Sequence, residues 1–188
     1  MQQLAAADAL LSLAGHRRQQ VWQATAWQRL PPLLREAAAP EPALELPAAP
    51  EGEEVRWDYA ATGLTLRRHP LAILRPQLAQ RSLKSSAELV DWPSGRAART
   101  CGIVTVRQRP QTANGTIFVS LEDESGTVQV IVWHDVYLKH RSTIINARLL
   151  AVQGRWQKEN GVSHLLAQRF ADLSHLLGPI LTPSRDFH

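Results

Sequence analysis

The sequence predicts an α+β chain with a small N-terminal helical segment, an extended linker and a C-terminal closed barrel. The barrel has five strands and a helix between the third and the fourth. Three observations predict it. From Arg96 onward, short β-branched runs alternate apolar and polar residues and are divided by turn residues. One segment among them, HDVYLKHRSTIIN, drops the alternation for a helical spacing of Val136, Leu138 and Ile144-Ile145. Upstream, residues 37–54 (AAAPEPALELPAAPEGEE) turn rich in Ala, Pro and Glu with no sustained period, the composition of an acidic linker.

At the N-terminus, Leu4, Leu10, Leu11 and Leu13 among alanines mark one face of a short helix that stops near Gly15. A second helix is predicted from about His16 to Leu30, with Val21, Trp22 and Ala26 on its apolar face. Pro31-Pro32 interrupts it. Beyond the linker, Trp57, Tyr59, Leu64 and Leu66 are candidates to anchor residues 55–95 on a neighbouring surface. The stretch from Pro70 to Leu89 reads as helical in two pieces, broken at Pro76. This region is either a small subdomain or an arm that folds against a partner. The expected divisions are 1–36, 37–95, 96–178 and a tail, 179–188.

In the barrel, RTCGIVTVRQ is the first strand and PQTANG the turn, with Asn114-Gly115 supplying positive-φ chemistry. TIFVSLED and TVQVIVW, joined by ESG, are strands two and three. After the helix, ARLLAVQGRWQ and VSHLLAQRF, joined by KENG, are strands four and five. Three strands, a helix and two strands within one domain is the order of an OB-fold. Alternation then assigns faces. Ile117, Val119, Leu121, Val128, Val130, Val132, Val104 and Val106 are expected inside. Phe118, Ser120, Glu122, Thr127, Gln129, Ile131, Trp133, Thr105, Arg107 and Arg109 are expected outside.

OB-folds bind single strands on this outer face, stacking aromatics on bases and holding the backbone with cations. The candidate nucleic-acid-binding residues are therefore Arg107, Arg109, Phe118, Gln129 and Trp133, with Arg155, Trp156 and Lys158 from the hairpin between strands four and five. Each has a structural counterpart: residues 55–95 covering Phe118, Trp133 sealing the barrel, Trp156 pinning its hairpin. Glu122, on the same face, repels phosphate.

Charge agrees with a nucleic-acid partner. The net charge is +4, and residues 1–95 are balanced at ten basic and ten acidic side chains. The excess therefore lies in residues 96–188, where released counterions favour phosphate binding. A lone Cys101 excludes an internal disulfide, and no run approaches the ~18 apolar residues of a membrane span. A cytoplasmic protein is expected. Glu122-Asp123-Glu124 resembles a two-metal carboxylate cluster, but neighbours on a strand entering a turn point apart, so a polar turn is expected. The seven histidines are scattered without zinc spacing, and no phosphate loop or nucleophile elbow occurs. No catalytic residue, metal ligand or cofactor is assigned to this chain.

GIVTVRQRPQTANGTIFVSLEDESGTVQVIVW with RLLAVQGRWQKENGVSHLLAQRFADLSHLL closely resembles the C-terminal OB region of bacterial C-family DNA polymerases. The VRQRP run, FVSLEDESG and the closing SRDFH are most similar to the error-prone ImuC type. LAAADALLSLAGHRRQQVWQA resembles the end of that family's helix-hairpin-helix region, and DYAATGLTLRRHPLAILR its connector into the OB domain. The resemblance implies a polymerase core upstream of Met1, with its metal-binding carboxylates and Mg²⁺, a PHP domain and a clamp-binding segment. It implies template single-stranded DNA as ligand, and an ImuB-like accessory protein and an ImuA-like RecA-related protein as partners. Leu13-Ala14-Gly15 and Arg17-Arg18 match the motif's turn and helix start, where backbone N–H groups hold a phosphate. A different reading, an OB module binding tRNA or any single strand, or one that only docks proteins, stays open at this point.

Overall fold

The computed structural model describes residues 1–26, 44–111, 114–159, 161–178 and 185–186. Its helices are α1 (Gln2–Ala6), α2 (Leu11–Ala14), α3 (Arg17–Ala26), α4 (Glu51–Thr62), α5 (Pro70–Gln80), α6 (Ser86–Val90) and α7 (His134–Asn146). Its strands are β1 (Ala97–Gln108), β2 (Ile117–Asp123), β3 (Gly126–Val132), β4 (Leu149–Glu159), β5 (Val162–Asp172) and the two-residue β6 (Arg185–Asp186). The chain divides into two compact units, Met1–Arg67 and Arg68–His188.

In the second unit, β1–β2, β2–β3, β1–β4 and β4–β5 pair antiparallel. A parallel contact of Val130 and Ile131 with Leu165 and Leu166 joins β3 to β5 and closes the barrel. β6 adds parallel to β1 at Val106 and Arg107. Inside lie Val104, Ile117, Val119, Leu121, Val128, Val130, Val132, Leu150, Val152, Leu165 and Ala167, one apolar cluster into which α7 inserts Tyr137 and Ile144. Burial of such side chains stabilises by ~1.5–3 kcal/mol each and sets the register of every strand. α7 occupies the predicted residues, and each strand overlaps its predicted run. Cys101 is buried in β1, and burial pushes its thiol up to about 12, so it stays protonated.

One strand breaks its own alternation. Between Val104 and Val106 the β1–β2 register slips, leaving Thr105 as a bulge. Val104 stands opposite the inward Leu121, but Val106 stands opposite the outward Ser120 and Arg107 opposite the inward Val119. The expected faces of Val106 and Arg107 are therefore exchanged.

α5 and α6 belong to the barrel's unit. α5 runs through Pro76 without stopping there, because Leu71 and Leu78 on either side are fully buried and hold it to the unit. The helical break falls at residues 81–85 instead. There Lys84 lies parallel to β1: its N–H donates to the Arg99 carbonyl (2.8 Å), and Thr100 Oγ1 donates to the Lys84 carbonyl (2.7 Å). Ser85 then caps α6 in a reciprocal box with Glu88.

In the first unit the expected helix through Leu13 is two short ones, separated where Asp8 takes φ +60°. Asp8 accepts hydrogen bonds there from Gln20 (2.7 Å) and Arg67 (2.6 Å). α3 is described to Ala26; the rest of its predicted span, Pro31-Pro32 and residues 37–43 of the linker lie outside the described residues. The end of that linker is not extended. Glu51, Glu53 and Glu54 form the first turn of α4, where carboxylates complement the positive helix end. Of the predicted anchors, Trp57 and Tyr59 are half-buried, whereas Leu64 and Leu66 are exposed.

The same unit buries an ionic cluster. Arg17 sits at 1% exposure among Asp8, Glu54 and Asp58, and Arg67 pairs with all three carboxylates. Burial pushes Asp58 up, but hydrogen bonds from Arg17, Thr65 and Arg67 prevail and hold it below its ordinary value. Burial raises Glu54. Arg18 donates to Glu53 (2.9 Å). The two arginines at the start of α3 thus meet carboxylates.

Candidate nucleic-acid interface

Antiparallel pairing brings the outer residues of β1, β2 and β3 into rows. Phe118 lies between Gln108 on β1 and Ile131 on β3, and Ser120 between Val106 and Gln129. Ile131 in turn neighbours Leu166 on β5 across the parallel contact. The result is a half-exposed apolar centre of Phe118, Ile131 and Leu166 rimmed by amides. Ser120 Oγ donates to Gln129 Oε1 at 3.0 Å, leaving the Gln129 amide nitrogen without a partner among the described residues. Trp133 is 51% exposed where β3 ends and α7 begins. Asn114 (φ +49°) and Gly115 (φ +81°) turn the chain back into β2. The positive φ at Gly115 favours glycine, and a Cβ there would also come within 2.7 Å of the His134 ring, which would have to move aside.

The cations distribute differently from expectation. Arg107, turned inward by the bulge, donates from Nε to the Ile144 carbonyl at 2.7 Å and from Nη2 to the Ala147 carbonyl. These are orphan acceptors at the end of α7, where a cation also meets the negative helix end. Arg107 is a helix clamp, and its assignment to the outer face is corrected. Arg109 is exposed, its guanidinium 5.8 Å from the Tyr137 ring centre. Arg155 is exposed on β4 opposite Leu166. Lys158 is exposed, but its ammonium donates to the Val90 carbonyl and its backbone to Ser94 Oγ (3.0 Å).

Trp156 is also corrected. It stands opposite Leu165, is 3% exposed and belongs to the barrel core. β4 continues to Glu159, so Trp156 is an inward strand position and no base can stack on it. Its Nε1 is buried with no hydrogen-bond partner among the described residues. Val106, Gln108 and Leu166 are face residues that sequence reasoning missed. The first two needed the bulge, which no residue in VTVRQ signals.

Glu122, Asp123 and Glu124 diverge, as the turn geometry predicts. Glu122 faces solvent with His69 Nε2 at 3.8 Å, and burial holds that imidazole below its ordinary value. Glu124 pairs with Arg75 (2.5 and 2.7 Å). Asp123 is buried and accepts from Ser86 N (2.6 Å), Ser86 Oγ (2.8 Å), Ser125 N (2.8 Å), Ser125 Oγ (2.8 Å) and Gly126 N (3.0 Å). Burial works against its charge, but the donors of Ser125 and Ser86 prevail and lower its pKa. The three carboxylates hold a turn and the connector helices; they share no common centre. Among the described residues no group of three metal-ligating side chains converges, and no helix is long and apolar enough to cross a membrane.

Residues 98–173 match the tRNA_anti-codon family, described as an OB-fold nucleic acid binding domain. Over 98% of its length the chain is 53% identical to an error-prone DNA polymerase of Ralstonia pickettii and covers 17% of that protein. It is 49% identical, over the same shares, to an error-prone DNA polymerase of Xanthomonas campestris pv. campestris. Among solved structures, asparaginyl-tRNA synthetase from Pyrococcus horikoshii aligns with 43% of this chain and 20% of its own at 20% identity, with a TM-score of 0.37. The chain is homologous to the error-prone DNA polymerases, spans 17% of the length of these relatives, and carries an OB-fold nucleic acid binding domain.

Proposed function

We propose that the barrel binds single-stranded template DNA on the outer face of β1–β3 as part of a cytoplasmic error-prone, translesion DNA polymerase. Nucleotide transfer and its Mg²⁺ belong in this reading to the remainder of such a protein. The supporting observation is the half-exposed Phe118 set between Ile131 and Gln108, with Trp133 exposed at the edge and Gln129 carrying an amide donor that has no partner among the described residues. A sequence-tolerant site needs a ring for the base and neutral donors or cations for the backbone. In a titration with single-stranded DNA, Phe118→Ala should weaken binding by about 1–3 kcal/mol, the usual loss for one stacking aromatic. A folded Phe118→Ala variant with unchanged affinity across a salt series removes the proposal.

A second reading, docking of an ImuB-like accessory protein or an ImuA-like RecA-related protein, is favoured by a different observation. In the Met1–Arg67 unit a cleft of about 560 Å³ is walled by Val21, Trp22, Leu46, Trp57, Ala60 and Ala61, and Trp22 is 51% exposed. Trp22→Asp should then lose the accessory protein in a pull-down while keeping single-strand affinity. Retention of the partner by this variant rules the cleft out.

A further inference from the structure

β1, β4 and β5 carry a second row of outward side chains. Arg99 pairs with Gln153 and Gln153 with Arg169, so the three stand side by side across three strands. Two inter-strand spacings put the arginine stems ~10 Å apart. The next row, Cys101, Ala151 and Ala171, is short-chained. Beside it Leu83 completes a cleft of about 170 Å³, with Arg99, Gln153 and Arg169 along its rim. Two residues along β4 from Gln153, on the same face, stands Arg155.

None of these three arginines has a hydrogen bond or an ion pair among the described residues, and no carboxylate stands in their rows. That sets them apart from Arg75 and Arg107, both committed to protein acceptors. Unpaired guanidinium groups side by side repel one another, and the arrangement gains when an anion enters. The central residue is an amide, which donates to an anion without adding a negative charge. Guanidinium forks match phosphate oxygens in geometry. The cleft is smaller than the ~300 Å³ at which small-molecule pockets begin. Its one aromatic, Phe170, packs toward the His140 ring at 5.4 Å, so the cleft suits a phosphate better than a base.

The row is also continuous with the stacking face. Phe118 neighbours Ile131, Ile131 neighbours Leu166, and Leu166 neighbours Arg155, a path across β2, β3, β5 and β4. We infer that Arg99, Gln153 and Arg169, with Arg155 at the near end, form a second site that grips the phosphodiester backbone of a single strand leaving the β1–β3 face. The inference rests on the strand-binding reading of that face and extends it to the opposite wall of the barrel.

The test compares the intact chain with the double variant Arg99→Gln/Arg169→Gln. Fluorescence anisotropy with oligothymidylates of about 5 and about 16 nucleotides, the span of OB-fold footprints, is followed over a salt series. Both arginines are exposed and have no partner among the described residues, so the melting curve should be unchanged. For the long oligomer the slope of log K against log salt should flatten by about 1.4, two phosphate contacts at 0.7 each, while the short oligomer binds as before. An unchanged slope for the long oligomer overturns the inference, as does equal loss for both lengths. So does loss of a polyglutamate peptide with DNA binding intact, which assigns the row to an acidic protein. Should Phe118→Ala leave both lengths unaffected while the double variant still flattens the slope, the stacking face fails and the row stands as a backbone site.

Discussion

Replacing Asp123 by Asn keeps size and shape and removes one charge at the tightest polar junction of the barrel's unit. Four donors, Ser86 Oγ, Ser125 N, Ser125 Oγ and Gly126 N, converge on Oδ1, and the Ser86 N–H donates to Oδ2 at 2.6 Å. An asparagine oxygen placed at Oδ1 keeps the four but presents its NH₂ to the Ser86 N–H and to Arg75 Nη2, which stood 3.5 Å from Oδ2. A buried N–H left without an acceptor costs about 1–3 kcal/mol, and hydrogen bonds to a neutral oxygen are weaker than those to a charged one. The two effects together predict a loss of about 3 kcal/mol in urea unfolding. Acid gives an independent reading. The folded pKa of Asp123 is lowered from 3.8, so its stabilisation is fully present above that value and is lost as pH falls through the folded value. Below pH 3.8 the variant should therefore show a shallower fall in stability than the parent. A loss under about 1 kcal/mol, or identical acid slopes, would refute the view that this carboxylate clamps α6 to the β2–β3 turn.

Arg107→Ala should lower stability by about 1–3 kcal/mol through loss of the bonds to Ile144 and Ala147 and leave the salt dependence of single-strand binding unchanged. A slope flattened by about 0.7 at unaltered stability would return Arg107 to the phosphate-binding set. Gly154→Ala should cost more than the ~1–3 kcal/mol usual for overpacking, since the added carbon would lie 2.0 Å from the Leu166 carbonyl oxygen of β5. A melting temperature equal to that of the parent would show that β4 and β5 approach less closely than described.

The barrel was readable because each strand carries its own period and burial enforces it. Val119 and Val130 announce an inward face whichever residues surround them. The order of strands and helix then leaves few closures. What escaped reading depends on residues remote in sequence. The slip at Thr105 is set by pairing with β2, since VTVRQ alternates without a flaw. Trp156 looked like a hairpin tip because KENG follows it closely, yet β4 continues through that motif's first two residues. Glu51–Glu54 shares the composition of the linker before it, and its helicity comes from first-turn carboxylates and from Arg17 and Arg67, which the sequence places far away. The candidate face was therefore legible at Phe118, Gln129 and Trp133 and illegible at Val106, Gln108 and Arg107.

The bulge in β1 also bears on how such a domain changes over generations. Deleting the single codon for Thr105 leaves every other residue in place, yet restores unbroken alternation through the strand. Val106 would stay opposite Ser120 on the outer face and Arg107 opposite Val119 on the inner one, so the clamp on the end of α7 is kept; a strand that retained Thr105 but lost the bulge would instead turn Val106 in and Arg107 out. Interior and exterior beyond this point thus survive a frame-preserving deletion, because the bulge already holds the extra residue out of the ladder. A one-residue difference in length at this position among related barrels is therefore expected to leave the surface charge of the strand unaltered, the bulge being where the strand absorbs it.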